Sequence, residues 1–456
     1  MGHTAFRLAI SLRFALVLLL LTNVLALAAQ TPPASQATSP RRIVIAADNI
    51  FDGKGGVLQN RRIVVEGSKI VAIEPMPAEG PTPAKEAGMG HPHADETAAR
   101  SGPVDYDLRG LTVMPGWIDA HDHITWIFGK DGKNAGMTGT SPYDSYSAAS
   151  NAWVTLMAGF TTIQSVGALN DVPLRDAIAR GEIPGPRILT AIEPLVGKGE
   201  DTGTPDQIRE FIRKQKAAGA DLIKIFASKS IRQGGGMTLS WEQLDAACSE
   251  AKKQGLRTLV HAYKEAVRAA TLAGCTEIEH GTLATEEDLK IMAEHGTYFD
   301  PQAGLIIKNY LQHKERYLGT PGYPPEGFDA MEKMLSVNCE LVREAAKTKG
   351  LKMVFGTDAV AGMHGRNAEE FIERVNCGVE PMQAMVSAQS LGAEAMGLGD
   401  QIGLIAPEMQ ADIIALDGDP TQDMTAVRRV VFVMKGGVVY KNVAKGAIPA
   451  YAGVKP

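Results

Sequence analysis

Between residues 113 and 358 the hydrophobic pattern changes period again and again. Short apolar runs alternate with longer stretches whose apolar positions recur every three or four residues. The first kind suits strands and the second suits amphipathic helices. The strand candidates are Trp117–His123, Thr161–Val166, Arg187–Ile192, Asp221–Ala227, Arg257–Tyr263, Glu277–His280, Tyr298–Gln302 and Met353–Asp358. Helical patterns lie between them. Pro205–Ala218 is one of these, and Ser240–Gln254 is another, opened by Ser240 and Gln243 at capping-box spacing and closed by Gly255. Thr285–His295 is a third and stops at Gly296. Strands and helices in this alternation predict an α/β fold of the (β/α)8 TIM-barrel type, which runs to about 250 residues. A doubly wound sheet competes, but no Gly-x-Gly-x-x-Gly follows any strand.

Both flanks carry a different pattern. Ile43–Ala46, Arg62–Val65 and Ile70–Ile73 read as strands of a small meander, with turns at Asp52-Gly53 and Glu66-Gly67. Ala411–Leu416, Val430–Met434 and Val438–Tyr440 read the same way at the other end. We expect the two ends to build one composite β-sandwich domain from residues 41–114 and 400–456, with the barrel at 115–399 between them. The Pro115-Gly116 pair marks the hand-over. Residues 76–102 shift to Pro, Ala, Gly, Glu and His and read as an insertion loop.

Composition narrows the class only a little. At 456 residues the chain is long enough for two or three domains, and its apolar and charged contents are those of a globular protein. A net charge of −6 without basic stripes or acidic tails argues against nucleic acid or a basic partner. Arg7 and Arg13, the apolar run from Phe14 and Ala26-Leu27-Ala28 have the form of a secretory signal peptide cleaved near Ala28. The run is short of the roughly 20 residues of a membrane span. We therefore expect export to the periplasm or beyond, a flexible leader over 29–40, and no membrane attachment after cleavage. Cys248, Cys275, Cys339 and Cys377 are widely spaced, and we expect buried thiols rather than a zinc knuckle or a disulfide framework.

Chemistry collects at the strand ends, where such barrels carry their active sites. The first strand ends in His121 and His123, whose alternation aims both imidazoles into one space. The fourth carries Lys224, the fifth His261, the sixth His280 and the eighth Asp358. Unpaired polar groups inside a barrel are costly, so these residues call for a ligand. Four imidazoles, a carboxylate and a lysine suffice for two divalent metal ions, and imidazole with carboxylate favours zinc. Lys224 is the odd member, since an ammonium repels a cation. It is either a lysine snorkelling from a strand end or one carboxylated by CO2 into an anionic bridge. A second His-x-His, His91-Pro92-His93, falls in the polar insertion loop and reads as surface.

Taken together, Pro-Gly-x-Ile-Asp-x-His-x-His at 115–123, Lys224, His261, Glu279-His280-Gly281 and Gly356-Thr357-Asp358 resemble the amidohydrolase superfamily. Residues 174–187 and 411–420 look like its imidazolonepropionase-like branch, which holds prolidases and Xaa-Arg/Lys carboxypeptidases. Residues 221–236 with Val260-His261-Ala262-Tyr263 are similar to ochratoxin-degrading amidohydrolases. That resemblance implies one metal on His121, His123 and Asp358 and a second on His261 and His280. Carboxylated Lys224 and a hydroxide would bridge them, and Asp358 would be the catalytic proton carrier. It also implies a homo-oligomer, an octamer among its forms.

The implied reaction is hydrolysis of the amide before a C-terminal amino acid, in N-acyl amino acids or dipeptides, ochratoxin A included. Xaa-Pro or Xaa-Arg/Lys dipeptides are the alternative substrates. Lys224, and Glu265 four residues beyond His261, weigh against imidazolone hydrolysis or deamination. A non-catalytic binding protein would have lost a ligand, and none is missing. Tyr263, on the face of His261, is a candidate for the substrate carboxylate. Arg268 and His364 are further candidates for substrate contact, each with a plain surface or loop role as the alternative.

Overall fold

The computed structural model describes residues 41–77, 103–136 and 141–444. The expected signal peptide, the leader, most of the insertion loop and His91-Pro92-His93 lie outside them. Among the described residues no helix is long and apolar enough to cross a membrane.

The strands in chain order begin with β1 (Arg42–Phe51), β2 (Val57–Glu66), β3 (Lys69–Pro75), β4 (Tyr106–Asp107) and β5 (Thr112–Pro115). Next come β6 (Trp117–Asp122), β7 (Phe160–Ser165), β8 (Arg187–Thr190), β9 (Leu195–Val196), β10 (Leu222–Phe226) and β11 (Arg257–Ala262). Then follow β12 (Glu277–His280), β13 (Tyr298–Asp300), β14 (Lys352–Met353), β15 (Ile413–Leu416), β16 (Val430–Lys435) and β17 (Val438–Asn442). Both ends of the chain meet in one eight-stranded sheet of order β17-β16-β15-β5-β1-β2-β3, with β4 beside β1. Its centre joins residues far apart in sequence, since β5 pairs antiparallel with β15 from Thr112–Leu416 to Pro115–Ile413. Ile45, Ile63, Val65, Val113, Ile413 and Phe432 give this sheet a core of its own.

The remaining strands form a TIM barrel. β6-β7-β8 and β9-β10-β11-β12-β13-β14 are parallel arcs. Backbone hydrogen bonds link them into a ring. Asp221 N donates to Thr190 O at 2.9 Å, Ala120 N to Phe355 O at 2.8 Å, and Asp358 N to His121 O at 2.7 Å. The eighth strand is therefore the segment 352–359, regular only in its first residues. Its distortion follows from Asp358, whose φ of 54° lies in the left-handed region that side chains seldom adopt.

The predicted helices form, and Ser240 caps its helix as expected, while Thr204 is a cap that the sequence pattern did not single out. Ser240 accepts from Gln243 N to open Trp241–Lys253, Thr204 accepts from Gln207 N ahead of Pro205–Ala217, and Thr285 accepts from Asp288 N ahead of Glu286–His295. Gly296, at φ 68°, ends the last of these.

Pro115 closes β5 in the sheet, and Trp117 opens β6 in the barrel. Gly116 between them is dictated by contact, because a Cβ there would meet Thr161 Oγ1 at 2.3 Å. Trp117 then packs on Phe160 and Phe371, with ring centroids 5.5 and 5.1 Å away.

The cysteines overturn the expectation of thiols. Cys248 is bonded to Cys275 and Cys339 to Cys377. Each pair joins a helix to the end of another element, so helix packing created the pairing and no local spacing announced it.

Candidate active site

Strand parity decides what enters the barrel. In β10, Ile223 and Ile225 pack among the helices, which turns Leu222, Lys224 and Phe226 inward. In β11, Val260 and Ala262 face the helices and send Leu259 and His261 inward. In β6, Ile118 and Ala120 pack outward, leaving Asp119, His121 and His123 to the interior. β12 breaks the rule. Ile278 faces out and Glu277 and Glu279 face in, yet His280 faces in as well because its φ is 64°. The strained residue brings two chain neighbours into one site.

The residues singled out from sequence converge. His123 Nε2 is 3.1 Å and His121 Nε2 3.3 Å from Asp358 Oδ1. The ring of His280 lies 5.1 Å from that of His121 and 4.7 Å from that of His261. Lys224 is fully buried, so it does not snorkel to solvent. Its ammonium contacts Glu279 Oε2. These groups line a cavity of about 70 Å³ together with Trp126, Phe226, Ser230, Arg232, Tyr263, Tyr310 and Tyr323.

Asp119, part of the first motif, holds the first and eighth strands in place. One of its oxygens accepts from Thr357 N (2.9 Å) and His121 N (3.2 Å). The other accepts from Thr357 Oγ1 (2.6 Å) and Asn367 Nδ2 (2.8 Å). Gly356 is required here too, since a Cβ would meet Asp300 Oδ2 at 2.1 Å.

The electrostatics suit metal binding. Burial, the largest cause in each case, holds His121 and His261 well below the usual imidazole range and His280 at about 4. The rings are therefore neutral, as metal ligands must be. Burial pushes the Asp358 carboxyl up, but the hydrogen bond with His123 and the charges of His280, His123 and Lys224 outweigh it and hold it below the usual range. Burial also lowers the Lys224 ammonium to about 7, against the opposite pull of Asp358, Asp300 and Glu277.

His121 Nδ1 and Nε2, His123 Nδ1 and His261 Nε2 are buried with no hydrogen-bond partner. Orphaned buried nitrogens are costly, and a divalent cation would satisfy those that face the cavity. His121, His123 and Asp358 bring ligand atoms within 4.8 Å of one another, and so do His121, Glu279 and His280. The donor set fits divalent metal.

Three residues of this neighbourhood were given no site role in the sequence, although Glu279 belongs to the sixth-strand motif. Glu279 places Oε1 3.3 Å from His121 Nδ1, beside its contact with Lys224. Arg232 enters from a short turn after β10. Gln302 Oε1 lies 2.6 Å from His280 Nδ1, and its Nε2 donates to Asp300 Oδ2 at 2.8 Å. An amide oxygen only accepts, so the His280 proton sits on Nδ1 and the Nε2 lone pair is free. Gln302→Met keeps the length and removes the acceptor. It is expected to weaken metal retention by about 10- to 100-fold, measured as the chelator concentration that strips the protein.

Two substrate-contact candidates lie elsewhere. Arg268 is outside the cavity, on the helix Glu265–Leu272, and its Nε donates to Asp288 Oδ1 at 2.7 Å. His364 does not line the cavity either. Its buried ring puts Nε2 3.3 Å from Asp122 Oδ1, behind the strand that carries the paired histidines. Tyr263 does line the cavity, its ring stacked on His280 at 5.4 Å.

Comparison with known proteins agrees with this geometry. Residues 112–448 match the model of the amidohydrolase family. Ochratoxinase of Aspergillus niger is 25% identical over 453 residues, covering 88% of this chain and 86% of that protein. An imidazolonepropionase of Deinococcus deserti is 21% identical over 354 residues, 70% of this chain and 81% of that one. Among solved structures, an Xaa-Pro dipeptidase with methionine bound in its active site superposes with a TM-score of 0.74 at 28% identity, covering 88% of this chain and all of its own. With the family model spanning most of its length and prolidase-like structures as its neighbours, the chain belongs to the amidohydrolase family and is a hydrolase of carbon–nitrogen bonds.

Proposed function

We propose that the protein hydrolyses the amide bond before a C-terminal amino acid, in N-acyl amino acids or dipeptides. Ochratoxin A, cleaved to ochratoxin α and L-phenylalanine, is within that class. The observation that carries the reading is the convergence of His121, His123, Lys224, His261, His280 and Asp358 on one cavity walled by aromatic side chains. In this reading His121, His123 and Asp358 would hold one zinc ion, His261 and His280 would hold the second, and Lys224, once carboxylated, would add an anionic ligand. Bound there, the two cations supply Lewis acidity, which acidifies water and polarises the amide carbonyl.

The protein's own groups do the rest. Asp358, ionised at neutral pH, takes the proton from the attacking water and delivers it to the leaving amine. The amine leaves only when protonated, since an amide anion is a poor leaving group. Tyr263 offers its hydroxyl to the substrate carboxylate, and Trp126, Tyr310 and Tyr323 restrict water around the scissile bond. The lowered Lys224 ammonium supports carboxylation, because only the neutral amine adds to CO2. Likeness to the Xaa-Pro dipeptidase structure favours a second reading, in which Xaa-Pro dipeptides are the main substrates. The two disulfides support export, as such bonds persist in oxidising compartments.

The test is a hydrolysis panel of Xaa-Pro, Xaa-Arg, Xaa-Lys, N-acyl-Phe and ochratoxin A, run before and after chelation. Turnover of at least one amide, lost with metal and restored by zinc, is the expected result. Undiminished activity in metal-free protein would overturn the reading. Xaa-Pro turnover with both phenylalanine conjugates untouched would select the dipeptidase.

A further inference from the structure

We infer that Arg232 is an anchor for the substrate's carboxylate, so that this site takes amides whose leaving amino acid carries a free α-carboxylate. The inference rests on the amide-hydrolase reading and adds to it a residue and a selection rule.

Arg232 lies in the short turn Ile231–Gln233, which follows the strand bearing Lys224. Ser230 Oγ accepts from its backbone N at 3.3 Å and fixes the turn. Gly327 makes room for its stem, since a Cβ there would meet Arg232 Cβ at 3.2 Å. The guanidinium lies 4.2 Å over the Tyr323 ring and 5.3 Å from that of Tyr310. Its Nε donates to Gly322 O at 3.0 Å. Stem, plane and one N–H are thus fixed, while Nη1 and Nη2 have no acceptor among the described residues. No carboxylate of the described residues pairs with it. Arg374, fully buried behind the site, is by contrast paired with Asp300 and Glu370.

A half-buried guanidinium set over two tyrosine rings, with no carboxylate in ion-pair contact, offers both Nη atoms to a carboxylate that can span them. Arg232 and Tyr263 line the same cavity as the metal-binding cluster. A C-terminal amino acid presents its carboxylate one carbon from the scissile nitrogen, so one ligand reaches both. Arg268 is already taken by Asp288.

The test compares an N-acyl-L-amino acid with its C-terminal carboxamide in the wild type, Arg232→Met and Arg232→Gln. We expect the wild type to favour the acid. Both variants should lose about 30-fold or more in kcat/KM on the acid, mainly through KM, with little change on the carboxamide. An equal fall on both substrates would mean that Arg232 only braces the loops, and a persisting acid preference would mean that another group reads the carboxylate. Either overturns the inference.

Calorimetric titration of the zinc-loaded wild type and Arg232→Gln with L-phenylalanine and L-phenylalaninamide provides a measure independent of turnover. A preference for the acid in the wild type that Arg232→Gln loses supports the anchor even if no amide in the panel is cleaved, a result that would sink the hydrolase reading alone. Equal binding of the two overturns it.

Discussion

Lys224→Ala is expected to abolish amide hydrolysis and to lower bound metal. The loss should exceed the roughly 10- to 100-fold cost of removing an outer partner of a metal ligand. Lys224 is fully buried in the barrel, and its nitrogen reaches the space between the histidines. As an ammonium it pairs with Glu279, and in the proposed carboxylated form it would be an anion facing the metal-binding histidines. The alanine also strands the Glu279 carboxylate, and an uncompensated buried charge destabilises by about 3–5 kcal/mol. Activity alone would not separate these effects. Added acetate or propionate can occupy the space the side chain leaves and supply the missing carboxylate. Recovery of activity and of metal with such acids identifies the bridge. Full activity in the alanine variant without them would refute it.

Removing the Cys339–Cys377 bond should cost a large share of the stability. The bond closes a loop with a sequence separation of 38, for which chain entropy gives about 4 kcal/mol. It joins the helix Pro325–Lys347 to the end of Glu369–Asn376, the helix that carries Arg374. Arg374 in turn donates to Asp300 and Pro301 O, next to Gln302 and thus to His280. We expect Cys339→Ser with Cys377→Ser to lower the thermal midpoint markedly and to leave the secondary structure of the folded protein intact. A midpoint equal to that of the wild type would show that the bond adds nothing.

Much of this architecture was legible in the chain because strand parity and capping are local. Ser240 with Gln243, Thr285 before Gly296, and the apolar runs ending in His, Lys or Asp announce themselves within a few residues. Five of the six site positions shared one property, a polar residue at or near the end of an apolar strand, with Lys224 inside one; this separated His121 and His123 from the same spelling at 91–93. Partnership across the barrel was not local. Glu279 reads from sequence as the outward neighbour of His280, and only the left-handed backbone at His280 brings both inward. Gln302 closes a strand as His261 does, but an amide carries no metal signature. Arg232 sits in a Gly-rich turn with no apolar period to fix its direction, and the tyrosines beside it, Tyr310 and Tyr323, come from far along the chain. The disulfides depended on which helices pack together.

The pairing of β5 with β15 has a consequence for synthesis. The barrel is in effect threaded through the sheet as an insertion, because the sheet's central strands come from opposite ends of the chain. A nascent chain that has made every barrel strand still presents the open edge of β5, and contacts of such long sequence separation form slowly. The sheet closes only when the strands from Ile413 to Asn442 become available. Premature termination after the last barrel strand but before Ile413 leaves the barrel strands attached to an unpaired, aggregation-prone edge. Quality control of this protein therefore turns on its final strands, far in sequence from any residue that touches the substrate.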